Sequence, residues 1–588
     1  MHKSTLTLLL CARILTALPP PPAFRLPDDV FPTKHLINLT IDPSRDTFEG
    51  WARIAVELKM PASVIWVNAK DLTPKEASVE YGGSTHSARV EARGGEFMGL
   101  ELDAPIGPGR ATLSIHYQGR LDAKSLVGPY RRKVGDDWYV FTTFTPIEAR
   151  RAFPCFDEPR FKTPWELTIR VKHGDKAFSN TRAVAEMETS DGMTEVRFAP
   201  TEPLPAEVVA FAVGPFDVLD GGTVSHGTEI RVIATQGRGD EGAYAAHAAA
   251  EVLPRLEAYA GIPYAFGKLD YVALPEGAFG AVENPGLITY RASVLLVKPS
   301  EETPEKTRAI RAVEAHEIAH QWFGNLVTQA SWEDVWLSEG FATWLSAKLM
   351  DQEQSPERKH LGAIVARERI MHADNRPVRL AMKSRDDFKR VYSPIVYQKG
   401  AALLMMLEGW LGENRVQNGL RAYLQAHRFG NATTDDLAVS LGGVPELRSV
   451  MRSFLDSAGV PEVSGEILCD PGAGPSLSIK EKGPSTVPVC WRADGHGHGC
   501  AVSGGAVTWP RGSRCPSWFY LNADGTGYYR TRWNHAPLEA LPHLTPAERL
   551  TLVYDLRAFK KAAGASELLK QLAADPEPEI AKAAEGKN

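Results

Sequence analysis

His316-Glu317-Ile318-Ala319-His320 is the stretch from which this 588-residue chain is best read. Histidines four positions apart on a helix share one face, so both imidazoles can reach a single metal ion. Glu317 points beside that face, where it can hold and deprotonate a water molecule. On a solvated surface helix the same five residues would carry no chemistry. The flanks argue otherwise: Ile318, Ala319, Trp322 and Phe323 are apolar, so the helix is buried on one side, where unpaired histidines are costly. A catalytic zinc takes three protein ligands and keeps one position open. The third ligand is expected from a second helix folded back on the first. Glu339 opens such a helix, 339–350, after the loop 324–338. Asp334, just upstream, is a candidate acceptor for the free N–H of a ligand histidine, with a plain surface acid as the competing reading. The expected centre is one Zn2+ per chain held by His316, His320 and Glu339, with Glu317 as the base.

Outward from this centre the chain changes character. Helical patterns are expected at 243–260, 307–322, 339–350, 355–372 and 399–411, with a strand near 271–274, in an α-rich catalytic domain over 219–458. Before it, residues 23–218 alternate short β-rich runs with Gly, Asp and Pro, the pattern of a large antiparallel β domain. Residues 229–234 still read as strand, so that boundary is soft. After it, 459–535 returns to short strands rich in Gly and Pro, read as a small β-sandwich. The tail, 536–588, is helical: Thr545 caps, Pro546 fits the first turn, and Glu548 completes a capping box. A second helix, 566–574, follows Gly564. Two helices are too few for their own core, so they dock on the rest or begin an array.

A formal net charge of -6 with mixed signs offers no basic footprint, which excludes nucleic acid as a partner. His2 and Lys3, an apolar run broken by Arg13, and the prolines 19–22 read as an export leader, 1–22, and leave no membrane insertion of the mature chain. Cys469, Cys490, Cys500 and Cys515 crowd into one stretch, whereas Cys11 and Cys155 stand alone. In an exported chain, periplasmic or secreted, four such cysteines imply two disulfides, with three pairings open. A structural zinc with His496 and His498 is the competitor, but no Cys-x-x-Cys pair supports it.

The resemblance enters with four motifs in consistent order. His316–His320 with Glu339 in Trp332-Glu333-Asp334-Val335-Trp336-Leu337-Ser338-Glu339-Gly340 resembles the aminopeptidase N family of gluzincins. Gly280-Ala281-Val282-Glu283-Asn284 looks like that family's Gly-Ala-Met-Glu-Asn motif, and Tyr397-Gln398-Lys399-Gly400 like the segment bearing its catalytic tyrosine. Ala149-Arg150-Arg151-Ala152-Phe153-Pro154-Cys155-Phe156-Asp157-Glu158-Pro159 matches its N-terminal signature. The resemblance runs over about 25–535 and implies a multidomain α+β architecture: an N-terminal antiparallel β domain, a thermolysin-like catalytic domain, a β-sandwich and a short helical segment. It implies peptides with a free N-terminus as partners. Tyr397 would polarise the scissile carbonyl alongside the metal. Glu283 would bind the α-ammonium, and a cation held at a fixed distance from the metal selects the first peptide bond.

Two departures matter. Thr143 and Thr145 stand where the family carries acidic or amide groups that help hold the α-ammonium, so binding is expected to lean on Glu283 and to be weaker. The chain also stops after about two tail helices, where relatives carry a large helical domain; either it is a truncation or its site is more open. Phe279 falls where relatives line the pocket for the substrate's first side chain. Two rival readings are an epoxide hydrolase, whose members in this family are cytosolic and lack the cysteine cluster, and an inactive peptide-binding scaffold, whose signature would be a lost ligand or base. None is lost.

Overall fold

The strand Val30–Ile41 turns His35, Ile37, Leu39 and Ile41 inward and the residues between them toward solvent, the period-two pattern of a half-buried strand. In the computed structural model, which describes residues 20–586 apart from positions 94, 471 and 484, it lies inside an eight-stranded sheet. The expected leader, with Cys11, lies outside the described residues except for positions 20–22. The sheet is antiparallel except that Val30–Ile41 pairs in parallel with Trp165–Lys172. Parallel neighbours need a long crossover, and the two smaller sheets of this body supply part of it. They are built on Ala62–Asn68 and Asp137–Thr143.

Asp217–Val224 and Thr228–Ala234 belong instead to a five-stranded sheet with Lys268–Leu274, Ala281–Val282 and Leu287–Arg291. Helix Ala243–Ala260 packs on it and on the motif helix Pro304–Ala319. The motif helix starts and ends about three residues before the sequence expectation of 307–322. Thr303 accepts from the Lys306 N–H at 3.3 Å, and Pro304 occupies the first turn, where its missing N–H costs nothing. The third-ligand helix, Trp336–Asp351, likewise opens three residues before Glu339, led in by the turn Trp332–Asp334. The pattern at 355–372 resolves into a turn, Pro356–Arg358, and a helix, Leu361–Ala373.

The β-sandwich consists of a four-stranded sheet around Glu462–Asp470 and Gly474–Lys482 and a three-stranded sheet around Pro488–Ala493. Cys490 and Cys500 are directly opposed on antiparallel strands and form one disulfide; Cys469 and Cys515 form the other. His496 does not join a metal set: its Nε2 meets the Arg514 carbonyl at 2.7 Å and its ring packs on Trp509. In the tail, Thr545, Pro546 and Glu548 cap Pro546–Ala558 as read from sequence. Two helices follow, Ala565–Leu572 and Pro578–Glu585, one more than expected. They share a continuous apolar core with the sandwich and the catalytic body, so the tail docks. Arg530 seals this junction through Glu368 at 2.6 Å. Among the described residues no helix is long and apolar enough to cross a membrane.

Candidate metal centre and substrate cavity

His316 occupies the last turn of the motif helix and His320 its C-terminal cap, the helix end that favours positive charge. Their Nε2 atoms lie 3.1 Å apart. Glu339, in the first turn of its own helix, brings Oε2 to 3.5 Å from the His316 Nε2 and 3.3 Å from the His320 Nε2. A tetrahedral ion with bonds of about 2.0–2.1 Å separates its donors by roughly 3.3 Å, so these three atoms fit zinc. Two imidazoles and a carboxylate are also the donor set that a catalytic zinc takes. A second triple, Glu283, Glu317 and His320, has donor atoms within 4.8 Å of one another. It shares His320 and surrounds the first triple with further acids. Larger hollows exist, one of about 780 Å³ beside Lys298 and Lys306, but among the described residues no metal-ligand set faces them.

His320 donates or accepts through its other ring nitrogen. Its Nδ1 is 2.9 Å from Ser338 Oγ and 3.2 Å from the Phe323 carbonyl. A carbonyl accepts only, so Nδ1 carries a proton and Nε2 is the nitrogen that a metal would take. Asp334, expected in this role, does not reach the histidines. Its carboxylate is occupied by Thr434 Oγ1 at 2.8 Å, with Arg379 at 3.4 Å, because the turn Trp332–Asp334 directs it toward the helix that Thr434 begins.

Tyr397 lies in a wide turn, Ile395–Lys399, that runs into helix Gly400–Leu411. Its hydroxyl donates to Glu339 Oε1 at 2.9 Å. The approach depends on two glycines: a Cβ on Gly340 would stand 3.1 Å from the Gly400 Cα. Glu283 is fixed by its backbone, whose carbonyl accepts from Gln321 Nε2 at 3.0 Å and Asn325 Nδ2 at 2.8 Å. A cavity of about 230 Å³ gathers Thr145, Phe279, Gly280, Ala281, Val282, Glu283, Glu317 and Tyr397 around His316, His320 and Glu339. Two residues expected at the substrate stand outside this lining. Asn284 is buried and turns to Leu287 and Thr289, at 3.4 Å each. Thr143 is buried at the end of its strand. Tyr392 lines the cavity without any sequence signal having marked it, since it follows a short helix, Phe388–Val391, that no motif covers.

The charges of these side chains are strongly interdependent. Burial alone would lower the His320 imidazole, but Glu283, Glu339 and Glu317 outweigh it and push the group up to about 10. Burial would raise Glu339, yet the two histidines hold it well below the carboxylate range. Burial raises Glu317 far above its ordinary value, with Glu283 and Glu339 adding to the shift. A carboxyl poised high beside a positive site is suited to take and return protons.

Residues 31–207 match the description Peptidase M1 N-terminal domain, and 244–456 match Peptidase family M1 domain. Aminopeptidase M1 of Arabidopsis thaliana is 29% identical over 577 residues, covering 90% of this chain and 64% of that protein. Glutamyl aminopeptidase of Sus scrofa is 28% identical, covering 92% of this chain and 61% of that protein. Aminopeptidase 2, mitochondrial, of Saccharomyces cerevisiae is 34% identical, covering 75% of this chain and 47% of that protein. The chain thus spans less than two thirds of the length of these relatives.

Proposed function

Because this chain belongs to peptidase family M1, we propose that it is a zinc aminopeptidase that hydrolyses the first peptide bond of peptides with a free N-terminus. The observation that carries the reading is Glu283. Its carboxylate stands within 4.8 Å of both Glu317 and the metal ligand His320, so a bound α-ammonium would bring only the nearest peptide bond to the centre. His316, His320 and Glu339 would hold the ion, which when bound supplies a Lewis acid for the water and the scissile carbonyl. Glu317 takes the proton of the attacking water and passes it to the leaving amine. Tyr397, whose hydroxyl burial and Glu339 keep firmly protonated, donates to the oxygen that gains charge. Phe279 and Val282 line the space for the first side chain. Ligands and base are all present and assembled, which weighs against an inactive scaffold, and the relatives' names favour a peptidase over an epoxide hydrolase. The two disulfides support an oxidising setting for the chain, periplasmic or secreted.

The test is a panel of aminoacyl chromogenic amides beside their N-acetylated forms, with and without chelator. Chelator-sensitive cleavage confined to the free amines is expected. Cleavage of the blocked set would make the protein an endopeptidase. Glu317→Gln should keep its zinc and lose roughly 10³-fold in kcat; retained turnover would remove it as the base.

A further inference from the structure

Lys399 stands two residues beyond Tyr397, at the end of the wide turn Ile395–Lys399, and the proposed reaction leaves it unused. It is 1% exposed and does not line the cavity. Its ammonium lies 2.9 Å from Asp374 Oδ2 and donates to the Ser457 carbonyl at 2.9 Å. Asp374 follows the helix Leu361–Ala373, and its side chain is fully enclosed. A lysine sealed in the interior is costly unless an acid and further acceptors complete it. Here burial lowers the ammonium, and Asp374 works against that.

The β-sandwich joins the same carboxylate. Tyr528, just before the short strand Arg530–Thr531, donates its hydroxyl to Asp374 Oδ2 at 3.0 Å. Its buried ring also faces the ammonium, 5.5 Å from Nζ.

A wide turn lacks the i→i+4 ladder that fixes the rotation of an ordinary helical turn, so side chains must hold it. On one side Gly400 packs closely on Gly340. On the other, Lys399 is tied to Asp374, Ser457 and Tyr528. Between these two holds the Tyr397 hydroxyl reaches Glu339 Oε1 at 2.9 Å. We infer that Lys399 is the positioning residue for the Tyr397 hydroxyl, and that Tyr528 extends this hold into the β-sandwich. The inference rests on the aminopeptidase reading and deepens it, because the hydroxyl that meets the scissile carbonyl then depends on a body outside the catalytic one.

The experiment makes Lys399→Met, Tyr397→Phe and the double variant in the zinc-loaded full chain, with leucine 4-nitroanilide as substrate. Lys399→Met should lower kcat at least about tenfold, the scale of a reacting group slightly misplaced. KM should stay within about twofold, and zinc content should not change. In the Tyr397→Phe background the same substitution should cost less than about twofold, because the hydroxyl it positions is gone. An unchanged kcat, or equal losses in both backgrounds, overturns the assignment, since a lysine that only stabilised the fold would act alike in each. Tyr528→Phe removes one hydroxyl and should fall between wild type and Lys399→Met; it carries the test in the same two backgrounds if the methionine variant does not fold. The cycle is repeated without turnover, on calorimetric affinity for the aminophosphonic acid analogue of leucine, whose tetrahedral oxygens stand in for the reacting carbonyl. A wild type that cleaves nothing would remove the aminopeptidase reading alone. The affinity cycle would still decide Lys399: a loss confined to chains that keep the Tyr397 hydroxyl supports it, and an equal loss overturns it.

Discussion

His35 in the N-terminal body and His320 in the catalytic body are buried to nearly the same degree, and their imidazoles shift in opposite directions. His35 is fully enclosed, stacked at 4.0 Å on Trp165, with Nδ1 2.8 Å from Thr163 Oγ1 and Nε2 unpartnered. Among the described residues no acid offsets its burial, which lowers it to about 3. His320 is 1% exposed, and burial works against its charge as well. There Glu283, Glu339 and Glu317 reverse the outcome. Burial sets a similar cost in both places, so the neighbouring charge decides. One imidazole is an aromatic filler of a β core, whereas the other stands where three carboxylates require a cation.

Removing each ring is the strongest test of that contrast. His320→Ala should lower bound zinc from one per chain to near zero and peptidase activity to background. His35→Phe should keep both. Zinc content by emission spectroscopy after gel filtration reads the difference. A His320→Ala protein that still held one zinc would mean that the Glu283–Glu317–Glu339 acids bind it without the histidine, and the contrast would not hold.

The sequence separated these two histidines only through spacing. His316 and His320 repeat at four with an acid between them, and that pattern survives any background. His35 reads as one inward residue of an alternating strand, and it is one. Glu339 was read as the third ligand on a second helix and Tyr397 only through the family resemblance, although their meeting depends on the glycine contact of 340 and 400. Ser338 lay inside a quoted motif, yet its role did not show, because a hydroxyl's partner is set by helix rotation rather than by order in the chain. Asp334 was assigned that role on proximity in sequence, and the turn Trp332–Asp334 took it elsewhere. Tyr392 was invisible, because it reaches the cavity from a short element that only the packing of the fold brings there. Alternation and capping signals gave the layers well. They missed the helix Pro578–Glu585, whose first turn offers Pro578 but no capping side chain.

A smaller effect is expected from acid. The folded His35 takes a proton only near 3, whereas an unfolded histidine takes it near its ordinary value of 6.5. Between those values the unfolded chain binds the extra proton, so stability is full above about 6.5 and falls as pH drops toward 3. Two units below 6.5, at pH 4.5, the loss amounts to about 2.7 kcal/mol. Urea unfolding of the full chain at pH 7 and pH 4.5 should show wild type losing about that much more than His35→Phe, since other acids titrate equally in both. Equal losses would mean that His35 is charged in the fold.

The smallest expected change is at Ser338. Its hydroxyl accepts from His320 Nδ1 at 2.9 Å and itself donates to the Phe323 carbonyl at 3.2 Å. In Ser338→Ala the carbonyl still faces Nδ1 at 3.2 Å, so the ring keeps its tautomer but loses its better-placed partner. Zinc affinity should fall about tenfold, the lower end for a lost partner of a ligand histidine, read by competition with a chromophoric chelator. Thr163→Val removes the same kind of hydroxyl from His35, and it should leave zinc affinity untouched. If Ser338→Ala also leaves it untouched, the Phe323 carbonyl alone orients the ring. The His320 environment would then depend on its carboxylates and not on its hydrogen bonds.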